Sequence, residues 1–208
     1  MTAQPATRAP ESISARRDEI VAIAAEIFAV KGYATTTVRE IADAAGILSG
    51  SLYHHFDSKE SMVDELLRHF LDTIAARYRE VVQAGTDPEA ILRALVREAF
   101  GALGTHRAAV AVMLNEYNVL TRQPRFAYLR DEVEQTERLW VGVLDDGMRT
   151  GVFRTDIDAA ALYRFMRDAI WVSVRWYRPN GPQRPEDIAD EYLAVLLGGI
   201  ATDTRRTP

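Results

Sequence analysis

The sequence predicts an all-α chain of about nine helices, and three observations predict it. Apolar residues recur at three- and four-residue steps through nearly the whole length, and the alternating pattern of a half-buried strand is almost absent. The breaks between periodic segments fall at glycine and proline: Gly32, Gly46, Gly85 to Pro88, Gly104, Gln123-Pro124, Gly151 and Pro179-Asn180-Gly181-Pro182. With 208 residues, 48% of them hydrophobic, the chain can fill a small head and a larger body without metals or disulfides.

The elements follow in order. Residues 1–14 are rich in Thr, Ala, Pro and Ser and read as a disordered arm; they hold Arg8 but no apolar run, so they do not form a signal peptide. Ile20, Ile23, Ala24, Ile27 and Phe28 mark one face of a first helix, which Gly32 ends. Thr37 is a plausible N-cap for a short second helix that buries Val38, Ile41, Ala42 and Ala45. Gly46 breaks that helix, and Ser49 caps a third over residues 50–55. Asp57-Ser58 opens a long fourth helix with Met62, Leu66, Leu67, Phe70 and Ile74 inside. Further helices are expected at residues 88–103, 106–121, 124–149, 157–178 and 185–202. No flexible linker separates head from body, which places the seam within the fourth helix, with a head over residues 15–62 and a body over residues 63–208.

Composition excludes several functions. The chain has no cysteine, so disulfides, zinc–thiolate sites and thiol catalysis are out, and a cytoplasmic location is compatible. No stretch approaches the roughly 18 apolar residues of a membrane span. A Gly-rich phosphate loop, a nucleophile elbow and a spaced His/Asp/Glu cluster are all missing, so no catalytic residue, metal or cofactor is expected. Net charge is −5, and the first 60 residues carry six basic against eight acidic side chains. A nucleic-acid function must therefore rest on a motif and not on bulk charge.

That motif is present. Ala42, Gly46 and Leu52 have helix-turn-helix spacing: a small residue where two helices cross, a glycine for the turn, and an apolar lock. A short recognition helix places its first residues at base edges in the major groove. Ser49, Gly50 and Ser51 are small enough for close approach, and their amides can meet phosphate. Tyr53 and His54 face outward while Leu52 and Phe56 face the core. Thr36, Thr37 and Lys59 are within reach of the DNA backbone, whereas Arg16 and Arg17 read as a solvated face. His54 and His55 point about 100° apart and do not make a metal pair.

Around these positions stand Thr37-Val38-Arg39-Glu40-Ile41-Ala42, Ala45-Gly46-Ile47, Gly50-Ser51-Leu52-Tyr53-His54-His55-Phe56 and Ser58-Lys59-Glu60. Over residues 20–62 this string resembles the signature of the TetR family of bacterial repressors. The resemblance implies DNA contact at Thr37, Ser49, Tyr53, His54 and Lys59. It also implies a palindromic double-stranded operator, a variable effector-binding body, and a homodimer paired through the last two helices.

Two features of the body suit that reading. The terminal stretch is apolar, and Leu193, Leu196, Leu197 and Ile200 are its candidate dimer residues, with burial inside the monomer as the alternative. Arg164, Arg167, Trp171, Arg175 and Arg178 form a stripe at three- and four-residue steps. It reads equally as a solvated basic face or as an anion site with an aromatic plate. The strings Ile47 to Glu60 and Trp171-Val172-Ser173-Val174-Arg175-Trp176-Tyr177-Arg178-Pro179 are similar to the KstR-type subgroup of actinobacterial repressors. That likeness implies an effector that is a coenzyme A thioester of a partly degraded, two-ring steroid. It carries Arg167 and Trp171 over as ligand contacts, and Arg175 less directly. Met113, Tyr117 and Trp140 are further candidates from composition alone. A fatty acyl-CoA or a hydrophobic drug is the alternative effector.

Overall fold

The computed structural model describes residues 10–200. Of the arm expected at residues 1–14, residues 1–9 lie outside the described residues. Residues 10–14 are helical instead, as the start of α1 (Pro10–Lys31). The remaining helices are α2 (Val38–Ala44), α3 (Ser49–Leu52), α4 (Lys59–Ala84), α5 (Pro88–Thr105), α6 (Arg107–Leu120), α7 (Tyr128–Arg149), α8 (Ala159–Val172) and α9 (Pro185–Ile200). The described residues thus form nine α-helices and two short 3-10 turns, Pro124–Phe126 and Ser173–Arg175, with no strand. They divide into two units at His69/Phe70, inside α4.

In the first unit, Ile20, Ala24 and Phe28 of α1 are buried together with Ile41, Ala42, Leu52 and Phe56. Gly46 has φ +66°, a conformation open to glycine, and this turns α2 into the loop before α3. α3 is a single turn, shorter than the period suggested, and its backbone bonds run on from His55 and Phe56 to Leu52. Arg17 is not on a solvated face. Its guanidinium lies 4.0 Å over the Phe56 ring, meets Glu65 of α4 with Nε–Oε1 at 3.0 Å and Nη2–Oε2 at 2.6 Å, and donates to the His55 carbonyl. Arg16 likewise donates to the Ala45 carbonyl at 2.7 Å. Arg17→Met is expected to destabilise this unit by about 1–2 kcal/mol, because it strands a part-buried carboxylate and a carbonyl while solvent screens part of the loss. Urea denaturation followed by circular dichroism measures it.

In the second unit, α5 packs on α9 and α7, and α7 packs on α8. Leu92, Leu95, Val96, Ala99, Phe100 and Leu103 of α5 are buried with Ile188, Ala189, Leu193, Leu197 and Ile200 of α9. Arg97 of α5 pairs with Asp190 of α9 at 2.8 Å. The backbone N–H of Arg154 and its Nη1 donate to the carbonyls of Ile200 and Gly199, satisfying groups at the end of α9. The helix expected over residues 157–178 stops at Val172. Ser173 is buried there and donates its hydroxyl to the Ile170 carbonyl, a local bond that competes with the helical ladder and precedes the 3-10 turn.

Candidate functional site: a reading head and an effector cavity

Thr37 caps α2 in a reciprocal box: its hydroxyl accepts from the Glu40 N–H at 3.2 Å and its own N–H donates to Glu40 Oε2 at 2.8 Å. The Lys31 ammonium, then the Thr37 backbone and hydroxyl, bring the Glu40 carboxyl from 4.5 down to about 2. Glu60 is held below its ordinary value chiefly by the Tyr33 hydroxyl, which donates to it at 2.6 Å.

Two residues expected on DNA have partners within the chain. Thr36 is 2% exposed, and its hydroxyl donates to the Gly32 carbonyl at 2.8 Å. It stands in the core of the turn and is not available to a phosphate. Lys59 directs its ammonium to the carbonyls of Tyr33 at 2.6 Å and Thr36 at 2.8 Å, and lies 4.4 Å over the Tyr33 ring. These bonds tie the α1–α2 loop to the start of α4. On the outer surface remain Thr37, Gly50, Tyr53 and His54, with Ser49 and Ser51 half-buried.

Sequence reasoning passed over Leu48. It is the N-cap residue of α3, makes no capping bond and is 79% exposed. The cap expected at Ser49 thus falls one residue earlier, on a leucine whose side chain can accept no amide N–H.

The second unit holds a partly open cavity of about 390 Å³. Phe70, Leu71, Ile74 and Tyr78 of α4, Val110, Met113, Leu114, Tyr117 and Asn118 of α6, Val133 and Thr136 of α7, and Tyr163, Arg167, Asp168 and Trp171 of α8 line it. The structure thus gathers Met113, Tyr117, Arg167 and Trp171 on one cavity. Trp171 meets Phe70 edge to face at 5.9 Å. Arg167 is part-exposed, 5.9 Å over the Tyr163 ring and paired with Asp168 at 2.8 Å. Trp140 does not line this space; it is 3% exposed, packs on Tyr78 at 5.4 Å, and borders only an adjoining cavity of about 20 Å³. Arg175 is exposed on the 3-10 turn and lines neither space, because the helix that would have carried it into the stripe ends three residues earlier. The α4 and α7 contributions were missed, since their apolar period reads the same for core and for cavity wall. Tyr163, one turn before Arg167, could have been found from spacing.

The candidate dimer residues are largely covered within their own chain. Leu193, Leu197 and Ile200 are 1%, 6% and 4% exposed within their own chain, so association has almost nothing of them left to bury, and Leu196 is half-buried. Around α8 and α9 the large apolar side chains left bare are Phe165 at 72%, Val172 at 39%, Trp176 at 52%, and Val195 at 79% beside exposed Ala194, Gly198 and Gly199.

Comparison with known proteins places this arrangement. Residues 20–66 match the family model described as bacterial regulatory proteins, tetR family, and residues 85–200 match the model described as tetracyclin repressor-like, C-terminal domain. The chain belongs to the TetR family. It is 49% identical to the transcriptional repressor KstR2 of Mycobacterium tuberculosis H37Rv over 94% of this chain and 98% of that one. It is 51% identical to KstR2 of Rhodococcus jostii RHA1 over 91% and 93% of the two chains. The solved structure of the ketosteroid transcriptional regulator KstR2 of M. tuberculosis superposes with a TM-score of 0.88 at 50% identity, covering 90% of this chain and 96% of that one. AibR bound to isovaleryl coenzyme A and operator DNA shares the fold, with a TM-score of 0.76 at 23% identity. This TetR-family chain is therefore a transcriptional repressor of the KstR2 type, with relatives that are regulators and not enzymes. Among its described residues no helix is long and apolar enough to cross a membrane, and no group of three acidic or histidine side chains is placed to hold a metal ion.

Proposed function

We propose that this repressor silences genes of steroid breakdown in the cytoplasm by binding a palindromic operator as a homodimer, and that a coenzyme A thioester of a two-ring steroid fragment releases it. The observation that carries this reading is a part-exposed Arg167, with Trp171 four residues on, in the wall of a cavity whose other walls are mostly apolar or tyrosine. A guanidinium next to an indole suits a phosphate and a flat base. A space of about 390 Å³ lies within the range of ligand pockets and suits a ring-bearing acyl group, leaving the nucleotide outside. The likeness to KstR2 supplies the steroid class.

Thr37, Ser49, Gly50, Ser51, Tyr53 and His54 form the reading face with Leu48, whose bare side chain suits a thymine methyl. Phe165, Val172, Trp176 and Val195 form the dimer face, with Gly198 and Gly199 allowing close backbone approach. Val195→Glu is expected to yield a folded monomer with weakened operator binding, because half-site reading needs two-fold symmetry. Analytical ultracentrifugation reads the change, and a variant that stays dimeric at micromolar concentration removes Val195 from the face.

Release follows from differential affinity: the effector binds a dimer conformation that fits the operator poorly. The test titrates steroid-derived acyl-CoAs, free steroid acids and fatty acyl-CoAs into a complex with a fluorescent upstream fragment at fixed salt. Release by the steroid thioester alone is the expected result. Release by fatty acyl-CoAs keeps the mechanism and moves the pathway, and indifference to every thioester refutes the coenzyme A reading.

A further inference from the structure

From Ala44 to Phe56, the stretch that makes the turn and α3, the chain has no Arg, Lys, Asn, Gln, Asp or Glu. Those six supply the pairings that select a base by its edge: Arg or Lys on guanine, Asn or Gln on adenine, Asp or Glu on cytosine. The arginine nearest in sequence is Arg39, which stands on α2 and pairs with Asp43 at 3.8 Å. Ser49 and Ser51 carry hydroxyls, which both donate and accept and so tell bases apart poorly. Tyr53 and His54 follow the last residue of α3, whereas a recognition helix meets base edges with its first residues.

Leu48 stands at that leading end. Its backbone is extended, with φ −68° and ψ 142°, and its carbonyl accepts from the N–H groups of Ser51 at 2.9 Å and Leu52 at 3.3 Å. The helix itself therefore fixes where this residue sits. Its side chain is 79% exposed, while Ile47 before it is half-buried. Gly50, two residues on, is exposed and has open space where a Cβ would stand, so nothing of the chain's own covers this corner of the head. An N-cap leucine gives the first amides no side-chain acceptor, and at this exposure it gains little from burial.

We infer that Leu48 is a specificity-determining residue of the reading head, and that it reads the 5-methyl group of one thymine in each operator half-site. That methyl projects into the major groove, is absent from the other three bases, and is recognised by apolar contact. A leucine at the leading end of α3 meets it by taking both groups out of water, with no hydrogen bond to align. Base selection under α3 thus runs through shape and an apolar contact instead of bidentate pairing. The inference rests on the operator-binding reading above and names the group that is read.

The experiment takes a duplex that the full-length protein selects from a random pool and replaces each of its thymines in turn by deoxyuridine, which removes the methyl alone. Fluorescence anisotropy at fixed salt measures affinity. Wild type is expected to lose about fourfold at one thymine per half-site, and roughly tenfold or more when both symmetry-related thymines are replaced. Leu48→Ala and Leu48→Ser are expected to bind the unmodified duplex more weakly by a similar factor and to be indifferent to deoxyuridine at that position, while responding as wild type elsewhere. Leu48→Ser also supplies the missing N-cap acceptor, so a thermal midpoint at or above that of wild type shows that the head is folded. Wild-type affinity unmoved by every replacement, or a wild-type response to deoxyuridine in both variants, overturns the inference and keeps operator binding. Equal weakening by the variants on the selected duplex and on unrelated DNA, with no position masked, puts Leu48 against the backbone and likewise overturns it. Failure to enrich any sequence from the pool refutes operator binding, and the inference with it.

Discussion

Gly50→Ala is expected to raise the stability of the reading head while lowering operator affinity. Gly50 lies in α3, outside the positive-φ glycines, and a Cβ built there meets nothing within 4 Å. Neither backbone conformation nor packing in this chain calls for glycine. In a helix, glycine costs about 0.5–1 kcal/mol against alanine, so alanine should stabilise the fold by up to that amount. What remains is space for something outside the chain, which on the proposed function is the operator, beside the exposed Leu48, Tyr53 and His54. A methyl group between α3 and the groove is expected to weaken binding by roughly tenfold or more, about 1.4 kcal/mol per head. Thermal denaturation and fluorescence anisotropy at fixed salt read the two effects separately. Improved stability with unchanged affinity would take Gly50 off the DNA.

Arg167→Ala is expected to raise the thioester concentration for half-maximal operator release by roughly tenfold to a hundredfold, the 1.5–3 kcal/mol of a charge-assisted hydrogen bond. Operator affinity without effector should be unchanged. The guanidinium is at present shared with Asp168, whose Oδ1 lies 2.9 Å from Nε and 2.8 Å from Nη2. An anionic effector competes with that carboxylate. Asp168→Asn should therefore act oppositely and lower the required concentration, by up to about fivefold for so exposed a pair. Trp171→Ala combines loss of the aromatic plate with loss of its edge contact to Phe70, and Trp171→Phe separates the two. Unchanged release by Arg167→Ala would return this arginine to the solvated face that the sequence left open.

Much of the candidate site was legible before any coordinates. Arg167 and Trp171 stand four residues apart, so a helix must present them on one side, and they share one cavity wall. Met113 and Tyr117 repeat that spacing on α6 and reach the same space. Arg175 failed on the same logic, because spacing predicts a shared face only while the helix continues, and Ser173 interrupts it. The partners of Lys59 and Arg17 were not legible: their neighbours in sequence say nothing of the carbonyls and carboxylate that residues 23 to 48 positions away bring to them.

The sequence by itself determined the all-helical class, the helix-turn-helix with its outward Tyr53 and His54, and the TetR family. All of these are set by local period, by turn residues and by a string of contiguous positions. Tertiary structure decided who takes each polar atom and what covers each apolar face. It turned Thr36 and Lys59 inward, brought Tyr78 of α4 against the cavity, and spent Leu193, Leu197 and Ile200 inside their own unit while leaving Phe165 and Val195 bare. The reason is physical: helical period tells that a face is apolar, but the same period serves a core, a cavity wall and a partner's surface, and only packing distinguishes them.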